Sequence, residues 1–456
     1  MESVTRNLFK DKEFFRTLFK LALPIIIQNF IASFLNMIDT IMVGRLGEAQ
    51  IASVGIANQY FLLFNLLVLG TFSGCGIFIS QFWGKRDIKN IRRILGLALI
   101  SGIIISLILA SMAAIFPTQI ISIFNKDPKV ILYGSQYLKV ICISYIFTAI
   151  TLAYSVSLRC VGQAIVPMLV SAVALLCNTF FNYIFIFGKF GAPVLGVKGA
   201  ALATLIARII ESVLLVTYVY KTKGVLAAKL GEMLDLTKEF IIKVVSTVIH
   251  VVLNEACWGL GTIVYSAVYG RIGTKAVASV QICTTVQNLF MVITFGIANA
   301  ATVMIGNKIG ANKEDLGKIY AKRFSIIGCT IGLSLGILLW ISSSHILSLF
   351  NVSNEVLHDS LIILRITSII MIIRVFNIIL IVGILRGGGD AKYSLMVEAF
   401  TMWCIGVPLS LIGAFLLKFP VYWVVALVTI EEIVKCIVGL TRLLSNRWVR
   451  NVVLDM

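Results

Sequence analysis

Apolar runs of about 20 residues or more recur along the whole chain, and this feature constrains the fold most strongly. Each run is long enough to cross the roughly 30 Å hydrocarbon core of a bilayer. Only 13% of the 456 residues are charged, and the mean hydropathy is +0.99. In ordinary soluble domains about a quarter of the residues are charged. We therefore predict an all-α integral membrane protein.

Twelve transmembrane helices can be drawn, with no soluble domain between them. The first apolar run is too long for a signal-peptide core, so we expect it to be retained. Pro24 inside this run removes a backbone donor and predicts a hinge. The predicted spans are 17–43, 51–82, 94–116, 131–157, 165–187, 196–220, 240–268, 276–306, 324–344, 359–384, 394–417 and 421–444.

Lysine and arginine residues crowd alternate loops, with about 26 in one set and about eight in the other. By the positive-inside rule, this bias predicts a multi-pass protein of the plasma (inner) membrane with both termini in the cytoplasm. The same placement argues against nucleic acid as a partner, despite the net charge of +18. Membrane lipid is the expected surrounding partner, and we expect a monomer.

An internal repeat divides the chain into two similar halves. The first six and last six spans are predicted to form two pseudo-symmetric six-helix bundles of the same orientation, related by an axis along the membrane normal. The predicted domains are 1–220 and 240–456, joined by a cytoplasmic linker, 221–239. The matching segments, each 226 or 227 residues apart, are Gly44–Gly47 with Gly270–Gly273, Ser122–Asn125 with Ser348–Asn351, and Leu158-Arg159 with Leu385-Arg386.

Asp39 lies inside the first apolar run. A carboxylate at membrane depth costs several kcal/mol unless it is paired, protonated or bound to an ion. Asp39 either faces the first bundle and binds a proton or a metal cation, or lies within reach of water and only caps its helix.

Asn178 and Asn182 are four residues apart and share one face of the fifth span. Their amides either bond neighbouring helices as packing contacts or join Asp39 around a cation, with Thr204 supplying a hydroxyl. Hard cations such as sodium prefer oxygen ligands of this kind.

Glu255 is the second deep acid, and no lysine or arginine lies within one helical turn of it in the sequence. It is predicted to carry a proton or to contact cationic substrates; the alternative is a protonated structural residue.

Further polar side chains interrupt the apolar helices and could line a mostly apolar cavity for amphiphilic organic molecules. The predicted cavity residues are Gln28, Asn29, Gln59, Gln281, Gln287, Asn288 and Met291.

The sequence offers no sign of an enzyme or of a cofactor. The three histidines are scattered without metal-ligand spacing, no phosphate-binding P-loop is present, and the nine cysteines include no CxxC pair. We therefore expect no catalytic residues and no cofactor apart from a coupling ion.

Several motifs together resemble the multidrug and toxic compound extrusion (MATE) family. They are IDTIMVGRLG, IANQY, WGKRD, GRIG with AVASVQ, IGNKIGANKEDL and LRGGGDAKYS, and the resemblance covers essentially the whole chain. It implies two bundles forming a V around a central cavity. It also implies a first-bundle cation site at Asp39, Asn178, Asn182 and Thr204, and a helix-7 acid at Glu255. Where some members carry a helix-10 acid, this chain has Asn377 and no carboxylate.

The resemblance implies a secondary antiporter that exports organic, often cationic, compounds in exchange for protons or sodium ions by alternating access. The sequence does not choose between the two ions. The alternative is a flippase for lipid-linked precursors, which would favour a cavity lined with several arginines. An intramembrane enzyme or a passive channel is a further alternative, but the first would need a catalytic constellation and the second would not require deep acids.

Overall fold

The computed structural model describes residues 11–350, 352–454 and 456, and every regular element in that part of the chain is helical. A segment surrounded by lipid must satisfy its own backbone hydrogen bonds, and a helix does so. Asn351, at the end of one predicted repeat match, and the first ten residues lie outside the described part.

The helices follow one another in two comparable series. The first series is α1 (Lys12–Gly44), α2 (Glu48–Lys85), α3 (Ile88–Ile115), α4 (Pro117–Phe124), α5 (Pro128–Ile141), α6 (Ser144–Cys160), α7 (Ile165–Phe187), α8 (Val197–Lys221) and α9 (Leu230–Met233). The second series is α10 (Lys238–Ile272), α11 (Thr274–Gly310), α12 (Glu314–Leu347), α13 (Asn354–Ile378), α14 (Ala391–Thr401), α15 (Val407–Leu411), α16 (Val421–Val428) and α17 (Ile430–Leu444).

Three π-helical segments interrupt the second series. One extends α13 over Ile379–Leu385, and the other two, Met402–Gly406 and Ile412–Leu416, lie on either side of α15. Such segments are rare and often occur at functional sites. By the repeat, the helix α7 of the first series corresponds to the region of the last two segments, and α7 is α-helical throughout.

Ten helices in the described residues are long and apolar enough to cross a membrane, or eleven if α5 and α6, bent by 50°, count as one span. These correspond to the first eleven predicted spans. The twelfth, 421–444, consists of the two shorter helices α16 and α17, which meet at Thr429.

The chain divides into two compact units whose limits differ from the predicted domains 1–220 and 240–456. The N-terminal unit is Leu23–Val248, and the C-terminal unit comprises the described residues up to Ala22 together with Ile249–Met456. Helices α1 and α10 therefore each change unit part-way along, at positions 226 residues apart. The predicted linker, 221–239, lies within the N-terminal unit.

The linker is fixed to the start of α3 by charged side chains. Arg92 forms an ion pair of 2.7 Å with Glu232 and donates a 3.0 Å hydrogen bond to the Val225 carbonyl. Lys89 pairs with Asp235 at 3.1 Å. These contacts hold the segment between α8 and α10 against the rest of the N-terminal unit.

Near the starts of both α1 and α10, an arginine from another helix lies over a phenylalanine ring. Asp11 accepts a 3.0 Å hydrogen bond from the Phe14 amide, which caps α1, and a 2.5 Å bond from Arg323, whose guanidinium lies 5.1 Å from the centre of the Phe14 ring. The Arg323 hydrogen bond is the main reason that the pKa of Asp11 lies below its usual value. At the equivalent place on α10, Arg93 lies 4.1 Å from the centre of the Phe240 ring.

Helices α12 and α13 pack closely through glycines spaced four residues apart. A Cβ at Gly332 would lie 2.7 Å from the Ile372 Cα, and one at Gly336 would lie 2.5 Å from the Ser368 carbonyl oxygen. Small residues of this spacing let two membrane helices approach backbone to backbone.

Gly336→Ala is expected to force α12 and α13 apart and to lower the free energy of unfolding by about 1–3 kcal/mol. Gly55→Ala is the matched control, because a Cβ there meets nothing within 4 Å and alanine favours the helix. Thermal unfolding in detergent should show a lower midpoint for the first variant alone; equal midpoints would contradict the close packing.

Asp11→Asn should retain the helix cap but lose the ion pair with Arg323, at a cost of up to about 1 kcal/mol. Because the folded-state pKa of Asp11 is lowered, its contribution is present above the ordinary carboxyl pKa and is lost as the pH falls through the folded value. The difference between the wild type and the variant in unfolding midpoint should therefore shrink as the pH is lowered from 7 to 3. A difference independent of pH would refute the ion pair.

Candidate cation site

Four predicted site residues meet in the N-terminal unit, where α7 packs along α8. Asn182 donates a hydrogen bond of 2.5 Å to Asp39 Oδ1 and another of 3.0 Å to Asn178 Oδ1. Asn178 in turn donates a 3.2 Å bond to Thr204 Oγ1. The structure thus brings together Asp39 from α1, the asparagine pair from α7 and Thr204 from α8.

The site combines buried amides with a partly accessible acid. Asn178 and Asn182 are fully buried, and Asp39 is half-buried. Asn182 Oδ1 is also buried and has no hydrogen-bond partner among the described residues. A carboxylate, an amide oxygen without a partner and a hydroxyl form an oxygen-rich set that suits a proton or a hard cation.

The nearest basic residue, Arg208, is bound to another acid. Its guanidinium pairs with Glu211 at 2.8 Å, and Ser171 donates a 2.9 Å bond to the same carboxylate. In the described part of the chain, no lysine or arginine forms an ion pair with Asp39. Its close polar partner is therefore the neutral amide of Asn182.

Gln28, one of the predicted cavity residues, lies in a chain of hydrogen bonds within the N-terminal unit. It donates to Ser171 at 3.0 Å and accepts a 2.6 Å bond from Arg159. Its side chain is buried. Arg159, half-buried near the end of α6, thereby gains an acceptor.

Glu255 has a basic partner that the sequence did not reveal. Arg386, which follows the π segment after α13, pairs with it at 2.8 Å and donates a 2.6 Å bond to Asn254 Oδ1. Arg386 is only 3% exposed. The pairing shows that Glu255 compensates a buried arginine; a role in carrying protons or contacting substrate remains a prediction.

The structure does not join the other predicted cavity residues into one network among the described side chains. Gln287 is half-buried, accepts a 2.6 Å bond from Arg374 and donates a 3.0 Å bond to Thr367. Met291 is buried, Asn29 is partly exposed, and three residues are exposed: Gln59, Gln281 and Asn288.

The C-terminal unit contains a buried ionic cluster, and spacing along the sequence predicts only part of it. The spacing of Glu431 and Lys435 predicts the pair that they form at 2.9 Å. Lys435 also pairs with Glu398 at 2.9 Å, and Tyr265 donates a 2.6 Å bond to Glu431. No spacing rule reveals these last two contacts, because the partners lie on different helices.

Comparisons of the sequence with a family model and with curated proteins find matches along most of the chain. The MatE family model matches residues 24–184 and 251–412. An uncharacterized transporter, YisQ, of Bacillus subtilis is 24% identical over 96% of both chains. A probable multidrug resistance protein, NorM, of Thermotoga maritima is 24% identical over 96% of this chain and 94% of its own.

Solved structures share the fold. The Vibrio cholerae MATE transporter VcmN in its bent form is 17% identical and superposes with a TM-score of 0.85, covering 99% of this chain and 100% of its own.

Glu255→Gln should leave the buried Arg386 without a counter-charge and lower the free energy of unfolding by about 2–3 kcal/mol. A fully buried pair would lose more, but a quarter of the Glu255 side chain is exposed. Arg386→Gln combined with Glu255→Gln should recover part of the loss. Glu355→Gln, which breaks an exposed pair with Lys275, is the control and should change the unfolding midpoint little. Additive effects in the double variant would contradict the coupling.

Proposed function

The chain belongs to the MatE family, and from this premise we propose that it is a secondary antiporter. It exports organic, often cationic and amphiphilic, compounds in exchange for protons or sodium ions by alternating access. We place it in the plasma membrane with both termini in the cytoplasm, in accordance with the bias of basic residues between loops. The relatives named as probable multidrug resistance proteins support this substrate class.

The proposal rests on the environment of Asp39. Its partner is an amide and not a basic side chain, so its charge is free to be compensated by an exchangeable cation. By contrast, Glu211 and Glu255 each have an arginine partner. Among these acids, Asp39 is the one whose charge state can change without breaking an ion pair.

Occupancy of the site would change its hydrogen bonds. An ionised carboxylate only accepts, whereas a protonated one also donates. Asn182 Oδ1, buried without a partner, offers an acceptor for the new donor or a ligand for sodium. Either ion would therefore rearrange the contact between α1 and α7, which is the local change that the transport cycle requires.

The driving force is sufficient for export. Moving one elementary charge across 100 mV releases roughly 2.3 kcal/mol, equivalent to about a fifty-fold gradient of an uncharged substrate for each coupled ion. A singly charged cationic substrate exported one for one draws instead on the concentration gradient of the ion, because the two charge movements cancel. Pro24 lies on the same helix as Asp39, and α1 continues through it. We propose that it provides the bend through which ion binding at Asp39 moves the first part of α1.

The flippase alternative is less well supported. Such a protein would need arginines available for an anionic lipid headgroup. Four arginines in or next to the spans are instead bound by neighbours in their own unit: Arg159 by Gln28, Arg208 by Glu211, Arg374 by Gln287 and Arg386 by Glu255. Arg365, also in a span, is exposed and lies over the Trp340 ring.

Asp39→Asn should abolish gradient-driven export while leaving the protein folded, because the amide keeps the shape of the side chain but cannot change charge. The measurement is efflux of a cationic dye from proteoliposomes, with sodium and proton gradients imposed separately. We expect efflux to fall to the level of empty liposomes under whichever gradient drives the wild type.

The matched control is Asp315→Asn, which removes an acid whose side chain is 93% exposed and should leave efflux unchanged. An unfolding midpoint close to that of the wild type would exclude misfolding. Normal dye export by Asp39→Asn would refute the role of this carboxyl group.

A further inference from the structure

The internal repeat aligns part of the ionic cluster of the C-terminal unit with the cation site of the N-terminal unit, and aligns Lys435 with the neighbouring Arg208. With the same offsets of 226 and 227 residues that relate the repeat segments, Asp39 corresponds to Tyr265, Thr204 to Glu431 and Arg208 to Lys435. The helices correspond as well: α1 to α10, and α8 to α16 and α17. The same location in the two copies therefore carries different chemistry.

Lys435 forms the centre of this cluster. Its Nζ lies 2.9 Å from Glu398 Oε1 and 2.9 Å from Glu431 Oε1. All three residues are buried. An ammonium group held between carboxylate oxygens satisfies the same electrostatic need that a bound metal ion would satisfy.

At Gly406 the backbone approaches the cluster closely. A Cβ on Gly406 would lie 2.0 Å from the Tyr265 hydroxyl oxygen and 2.4 Å from Glu431 Oε2. Gly406 ends the π segment Met402–Gly406, for which α7 has no counterpart. The Tyr265 hydroxyl, at the position of the Asp39 carboxylate, donates a 2.6 Å bond to Glu431.

The other ionisable groups near the cluster also compensate one another. Glu432 accepts a 2.7 Å bond from Asn377 and lies within electrostatic reach of both Lys435 and Arg374. Two further ionisable side chains interact with the cluster: Tyr269 with Glu431 and Cys257 with Glu398. Of the two carboxylates that Lys435 contacts, Glu431 receives the additional hydrogen bond from Tyr265.

We propose that Lys435 is a tethered cation, which permanently occupies in the C-terminal unit the place that an exchangeable ion takes in the N-terminal unit. The comparison with an exchangeable ion rests on the proposed function. The consequence is that the cluster around Lys435 does not exchange a cation with solvent, whereas the site at Asp39 does. Removing the Lys435 charge should expose a latent site for a proton or a monovalent metal cation, built from Glu398 and Glu431.

The test is the thermal unfolding midpoint of the full-length protein in detergent. It is measured in NaCl and in choline chloride, and at pH 6 and pH 8. All variants carry Asp39→Asn, so that the N-terminal site cannot contribute. This background alone should show no dependence on sodium or on pH over this range.

Adding Lys435→Met should lower the midpoint in choline chloride at pH 8. The midpoint should then rise by at least about 2 °C with sodium or at pH 6, because either ion neutralises the unpaired carboxylates. Lys435→Arg keeps the charge and should remain insensitive to both ions. Lys275→Met, which removes an exposed lysine, should also remain insensitive.

A further variant separates the charge effect from a packing defect. Glu398→Gln and Glu431→Gln, added to Lys435→Met, should remove the ion dependence and recover part of the midpoint. If Lys435→Met is recovered folded only from high sodium or low pH, that result also supports the proposal.

Two results would overturn it. One is a midpoint of Lys435→Met that is insensitive to both ions. The other is ion-dependent stability in the Asp39→Asn background that disappears with Glu398→Gln and Glu431→Gln. Neither of these unfolding measurements depends on dye export. Failure of the proposed antiport would therefore appear in the efflux assay and not in the unfolding midpoints.

Discussion

The cost of a charge without compensation in an apolar environment determines how the polar residues of this protein are arranged. Removing an ion from water costs several kcal/mol unless an opposite charge and hydrogen bonds replace the water. Arg386, Arg208 and Lys435 each meet a carboxylate within 3 Å. Asp39 differs because an amide is its partner. Unlike Glu211 and Glu255, which each pair with an arginine, Asp39 has no ion pair with a basic side chain among the described residues, and the proposed coupling role follows from this difference.

The duplicated scaffold solves the same problem twice with different residues. In the N-terminal unit Arg159 donates a 2.6 Å bond to Gln28, and in the C-terminal unit the equivalent Arg386 donates a 2.6 Å bond to Asn254. At this position the chemistry of the two copies is nearly the same. At the Asp39 position the two copies differ. The C-terminal unit has Tyr265, which cannot supply a carboxylate, and the positive charge nearby belongs to the Lys435 side chain. The repeat therefore keeps its helical framework while the side chains at this position differ between the copies.

Sequence reasoning predicted most of the fold because length, hydropathy and repetition are local or periodic signals. The first eleven spans were predicted, and the repeat offset of 226 reappears in the positions where α1 and α10 change unit. The grouping of Asp39, Asn178, Asn182 and Thr204 was also predicted, from the one-turn spacing of the asparagines and the family resemblance. The limits of the compact units were not predicted, since they fall inside continuous helices that carry no change of composition.

By itself, then, the sequence determined a helical membrane protein built from two copies of one unit, with a deep acid in the first span and two amides one turn apart in the fifth, because these features follow from hydropathy and from spacing along the chain. Only the tertiary structure decided which charges are compensated. Asn254 and Arg386 are 132 residues apart, and Glu398 and Lys435 are 37 residues apart. Helical periodicity relates residues three or four positions apart, whereas these partners meet only when separate helices pack side by side.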